Sequence, residues 1–122
     1  MYLDSCSEVR VKDLKVSGTM SGNVKASITT TYSSGTNWYR VYSDGWIEQG
    51  GLSSAVTDTT TKITLHKSFK DTNYCVYTAI TNCSKNHPHL IVETKTSTAL
   101  TLRMFSAEGT YSFQGYWYAC GY

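Results

Sequence analysis

The stretch NWYRVYSDGWIEQGG, Asn37 to Gly51, decides how this chain is read. Two aromatic-rich runs, Asn37–Tyr42 and Trp46–Gly51, flank Ser43, Asp44 and Gly45. Asp-Gly between such runs marks a β-hairpin, because glycine adopts the positive φ that tight hairpin turns require. Side chains alternate along a strand, so Tyr39 and Val41 share one face and Trp38, Arg40 and Tyr42 the other. Arg40 then meets Glu48 across the hairpin, a structural pair worth about 0.5 kcal/mol where exposed.

The same alternation recurs downstream. Thr61–Phe69 (TKITLHKSF) sets Ile63 and Leu65 against Thr64 and His66, and Lys70–Asn73 has turn chemistry. Tyr74–Thr81 aligns Tyr74, Val76, Thr78 and Ile80; Asn82–Pro88 reads as a loop and His89–Lys95 as a strand. Ala99–Phe105 gathers Leu100, Leu102 and Met104 opposite Thr101 and Arg103, and Ser106–Gly109 turns the chain. In Thr110–Tyr122, Tyr111, Phe113, Gly115 and Trp117 face one way and Gln114, Tyr116 and Tyr118 the other. Seven or eight short strands, with no 3.6-residue period, predict an all-β antiparallel β-sandwich over residues 36–122. Thr-rich Thr57–Lys62 reads as a polar loop. Residues 1–35, with Gly18 and Gly22 about a polar hinge and only weak alternation, read as an extended connecting segment with room for two strands.

Composition narrows the function. The 122 residues carry a net charge of +2, and only 16% are charged. That field is too mild for a nucleic-acid or membrane-surface binder. No apolar run approaches the roughly 18 residues of a membrane span, and the charged start MYLDSCSEVRVKDL has no secretory pattern. Ten Tyr and three Trp argue against disorder. Yet Leu, Ile, Val and Phe number only 23, against 18 Thr and 15 Ser. So thin a core calls for disulfides, metal or oligomerisation.

Cys6, Cys75, Cys83 and Cys120 permit three disulfide connectivities. Free, at least partly buried thiols are the expectation, because Cys75 and Cys120 sit in strand-like runs and no export signal is visible. No close C-x(2–4)-C spacing suggests zinc.

Three segments together resemble the C-terminal domain of phage tail fibres and related prophage proteins. Asn37–Gly51 is similar to that family's W-x-R/K-x-x-S-D-G-W-x-E-Q-G-G stretch. Thr64–Thr78 (TLHKSFKDTNYCVYT) resembles its following strand and loop, and Phe113–Tyr122 (FQGYWYACGY) its closing strand. Cys75, Cys83 and Cys120 stand where small or β-branched residues are expected, and His66-Lys67 where Pro-Lys is more usual. The resemblance implies a homotrimeric β-sandwich at the tip of a fibre, made in the host cytoplasm and exposed outside the cell on the virion. Its partners would be other fibre segments and a bacterial surface receptor, a glycan or an outer-surface protein. Residues 1–35 would be the end of a shaft or neck. A trimer also supplies the apolar area that one copy lacks and covers strand edges.

Candidate contacts follow from these readings. Trp38, Trp46 and Trp117 lie within alternating strands and read as core or subunit contacts rather than sugar platforms. Tyr116, Tyr118 and the terminal Tyr122 form an aromatic strip open to a glycan, or else buried between subunits. Loops Ser53–Thr61, Asn82–His89 and Ser106–Gly109 contribute Thr59, Asn86 and His87 as binding candidates. His87 and His89, in H-x-H spacing, would offer six imidazoles to a divalent metal on a trimer axis, but Pro88 and the polar loop favour surface histidines and no cofactor. Nothing pairs two carboxylates, and no nucleophile elbow or phosphate loop is present, so no enzyme is expected. Two alternatives stay open: a structural trimerisation cap without receptor binding, and a lectin-like module.

Overall fold

A computed structural model describes residues 26–56, 59–81, 88–107 and 112–122. Among the described residues are eight strands: β1 (Ile28–Ser34), β2 (Asn37–Tyr42), β3 (Ile47–Val56), β4 (Thr60–Thr64), β5 (Cys75–Ile80), β6 (His89–Lys95), β7 (Ala99–Phe105) and β8 (Ser112–Gly121). They form a five-stranded sheet in the order β1-β2-β3-β8-β5 and a three-stranded sheet in the order β4-β7-β6. Every pairing among them is antiparallel, as predicted.

The β2–β3 hairpin turns as its sequence requires. The Gly45 N–H donates to the Tyr42 carbonyl at 3.0 Å, and the Tyr42 N–H donates to the Trp46 carbonyl at 2.8 Å. Gly45 has φ +90°, which a side chain would strain. Asp44 Oδ1 accepts the Trp46 N–H at 3.0 Å, closing the turn from within.

Between the sheets lie Ile47, Leu65, Phe69, Tyr74, Leu100, Leu102, Trp117 and Ala119, flanked by Val41, Ile63, Val76, Leu90 and Val92. The members that lie on strands, such as Ile63, Val76, Leu100, Leu102 and Trp117, are ones that period-two alternation selects. Trp117 is 4% exposed and fills the core as expected. Trp38 and Trp46 are only half-buried and lie outside that cluster, which corrects the core half of their reading as core or subunit contacts. Met104 completes the buried row of β7 with Leu100 and Leu102.

Two local expectations change. The strand read at Thr61–Phe69 ends at Thr64; Leu65–Tyr74 instead crosses the end of the sandwich, tied by Leu65 N–H to the Thr98 carbonyl and Phe69 N–H to the Ser97 carbonyl, 2.9 Å each. Its apolar Leu65 and Phe69 plug the open end between sheets, which interrupts the alternation. The Thr57–Lys62 loop is shorter than expected, because Thr60, Thr61 and Lys62 pair with Arg103, Leu102 and Thr101; β-branched threonine suits a strand as well as a loop. In the segment read as connecting with room for two strands, Ile28–Ser34 forms one of them, β1, against β2, while residues 1–25 lie outside the described residues. All seven residues of β1 are exposed.

Candidate functional site

The outward face of the five-stranded sheet carries rows of side chains set by register. Trp38 opposes Gly50, Gly50 opposes Tyr118, and Tyr118 opposes Tyr77. A Cβ on Gly50 would stand 3.1 Å from the Trp38 ring and 2.8 Å from the Trp117 carbonyl oxygen. The missing side chain lets the indole lie across β3 and reach Tyr118, with ring centroids 5.9 Å apart. Tyr118 and Tyr77 follow at 6.1 Å. Three rings therefore span β2 to β5 in one line, and the Arg40 guanidinium lies 5.7 Å from the Trp38 ring centre.

One step along β8, Tyr116 opposes Leu52 on β3 and Ala79 on β5. Tyr77 is 63% exposed and Tyr116 51%. A groove of about 140 Å³, lined by Tyr77, Thr78, Ala79, Tyr116, Trp117 and Tyr118, runs between them. Thr78 and Trp117 point inward, so the strand backbone floors this groove.

On the other side of the aromatic row, Arg40, Glu48, Cys120 and Cys75 are in register across four strands. The expected opposition of Arg40 and Glu48 is present. The Glu48 carboxylate accepts the Tyr42 hydroxyl at 3.1 Å, and the Arg40 guanidinium, which also faces Tyr42, lies over Trp38. Burial, then the nearby Cys120 and Glu48, hold the Tyr118 hydroxyl protonated well above the usual phenol range. This face offers flat π surfaces and phenol donors. That chemistry suits stacking and hydrogen bonding.

Among the sequence candidates, Tyr116 and Tyr118 come together here. Thr59 precedes β4 on the other sheet, its carbonyl accepting the Met104 N–H at 3.4 Å, and does not join them. Asn86 and His87 lie outside the described residues. His89 is exposed at the start of β6, its ring 6.3 Å from that of Phe105; among the described residues no group of three or more His, Cys, Asp or Glu could hold a metal ion. Tyr122 packs edge-on to Trp46 at 5.1 Å, apart from the row. One proposed loop is corrected: Ser53–Val56 belongs to β3, paired with β8; the chain does turn after β7 at Ser106 and Ala107, with Ser106 itself buried. Tyr77 is not among the sequence candidates: alternation sets Tyr74, Val76, Thr78 and Ile80 on one face of their strand and does not say which strand Tyr77 adjoins on the other.

An N-truncated R2-type pyocin tail fibre matches with a TM-score of 0.64 at 20% identity, over 83% of this chain and 39% of that one. The C-terminal part of the P. aeruginosa R2 pyocin fibre gives 0.63 at 20% identity, over 81% and 26%. An N-truncated R1-type pyocin tail fibre gives 0.57 at 13% identity, over 81% and 87%. At these identities the likeness establishes the fold, and the chain spans only 39% and 26% of the first two fibres. A comparison with curated protein sequences finds no match. The family described as "Putative tail fiber protein gp53-like, C-terminal" matches residues 40–122. The chain belongs to this family, a tail-fibre C-terminal domain.

Proposed function

We propose that this domain, carried at the end of a fibre as a homotrimer, binds a structure on the bacterial surface, a glycan or an outer-surface protein, and carries out no chemistry. The observation behind the reading is the Trp38–Tyr118–Tyr77 row with the adjoining Tyr116 groove on an outward sheet face. Tyr and Trp give large, stiff contact area with a polar handle, as recognition surfaces need. Uncovered apolar side chains support assembly. Every residue of β1 is exposed, Ile28 and Tyr32 among them, and Ile91 and Phe105 are exposed on the outer face of the three-stranded sheet. Those positions are where neighbouring copies would pack, leaving the aromatic row free. Three weak contacts then add by multivalency. The fibre would be made in the host cytoplasm and act outside the cell.

The test is adsorption of the labelled domain to a panel of intact bacteria, with molecular mass measured alongside. The expected result is a trimer that binds at least one strain, and a Tyr77→Ala/Tyr116→Ala variant of unchanged mass and melting temperature that binds at least about tenfold more weakly. Equal binding by the variant overturns the site. A trimer that adsorbs to no strain and fails to block fibre-mediated adsorption leaves a structural cap, and a monomer that binds glycans leaves a lectin.

A further inference from the structure

Cys75 and Cys120 are directly opposed on β5 and β8, so their side chains leave the same, outward face of the sheet. Directly opposed residues of an antiparallel pair lie about 4.5–5.5 Å apart between Cα atoms. A disulfide spans about 4.4–6.8 Å between Cα atoms, a range that includes the spacing of such opposed pairs. Both thiols are free, Cys75 exposed and Cys120 partly so. A second observation concerns access: both line one cleft of about 300 Å³ walled by Trp46, Tyr122, Lys70, Asp71 and Asn73. A small reagent entering it meets both sulfurs.

We propose that Cys75 and Cys120 are a cross-strand dithiol that closes to a disulfide on meeting a small-molecule disulfide such as oxidised glutathione. The exposed Cys75 thiolate attacks one sulfur of the reagent. The reagent's S–S bond breaks, and its other half leaves as a thiol on taking up the proton. The Cys120 thiolate then attacks the Cys75 sulfur of the mixed disulfide, forming the Cys75–Cys120 bond and expelling the second thiol. Two protein thiols are oxidised and one disulfide is reduced to two thiols.

The bond ties the edge strand β5 to β8 and restricts the unfolded chain between them. It also fixes Tyr77, two residues from Cys75, beside Tyr118, two residues from Cys120. A reducing cytosol keeps the pair open and an oxidising exterior closes it. This timing, though not the bond, rests on the proposed life of the fibre outside the cell.

The experiment uses the full chain carrying Cys6→Ser and Cys83→Ser, folded and reduced, then incubated with oxidised glutathione; the wild type is run beside it with peptide mapping. The expected result is loss of both thiols, a mass lower by two hydrogens, no glutathione adduct and a cross-link between the peptides holding Cys75 and Cys120. With Cys120→Ser added, glutathione stays on Cys75. Persistence of both free thiols, or a lasting glutathione adduct while Cys120 is present, overturns the proposal. Neither result bears on adsorption to bacteria, so its failure is separable from that of the binding site.

Discussion

Gln49 and the backbone of Lys67 exchange two hydrogen bonds: Gln49 Nε2 donates to the Lys67 carbonyl at 2.7 Å, and Gln49 Oε1 accepts the Lys67 N–H at 3.1 Å. The Gln49 side chain imitates a strand edge. It is fully buried and binds the crossing segment Leu65–Tyr74 to the larger sheet. A primary amide suits this place because it presents one donor and one acceptor side by side.

Replacing Gln49 by Leu keeps the volume but strands a donor and an acceptor of Lys67. The expected loss is about 2 kcal/mol of unfolding stability, read as a lower urea midpoint at constant slope. A midpoint equal to wild type would show that the pair of bonds contributes nothing net.

Gly50→Ala pushes a methyl group toward both the Trp38 ring and the Trp117 carbonyl. We expect a cost of about 1–3 kcal/mol and an altered tryptophan emission as the indole lifts from β3. Trp38→Ala in the same chain should recover part of the loss, since neighbouring changes are not additive. Full additivity would mean that the ring does not rest on Gly50.

The crossing segment is also held at its far end. Tyr74 stacks on Phe69 at 4.1 Å and its hydroxyl donates to the Thr96 carbonyl at 2.8 Å. Lys95 Nζ donates to the Tyr74 carbonyl at 2.6 Å and sits 4.9 Å from the ring centre. Tyr74→Phe is expected to cost about 1 kcal/mol and Lys95→Met about 1–2 kcal/mol. Thermal melts of the single and double variants would check both values and their coupling.

The Tyr118 hydroxyl has a folded-state pKa raised above its unfolded value of about 10. Its contribution to stability is therefore fully present below about pH 10 and is lost as the pH rises from there toward the folded value. Tyr118→Phe should flatten the alkaline fall in melting temperature, and tyrosinate absorbance should show one fewer late-titrating phenol. An unchanged alkaline profile would place the hydroxyl in ordinary solvent.

Much of the sandwich is legible in one dimension because a strand's faces are a local property. The Asp44-Gly45 turn, the buried Leu100–Leu102–Met104 row, the Val76–Thr78–Ile80 face and the inward Trp117 all follow from alternation and turn chemistry. The end of β4 was not legible, since Leu65 continues an apolar pattern while its backbone turns away to bond Thr98. The site was half legible. Tyr116 and Tyr118 are recognisable as outward residues of one strand, yet nothing local joins them to Tyr77 or Trp38.

The amino-acid order alone thus determined the all-β class, the first hairpin and which residues of each strand turn inward, because period-two sterics act between neighbours in the chain. Only the tertiary structure decided that β8 lies between β3 and β5. That non-local pairing brings Trp38, Tyr118 and Tyr77 into one row, and Cys75 against Cys120. Strand order and register depend on how two whole sheets cover each other's apolar faces, a property of the assembled surfaces that no single segment carries.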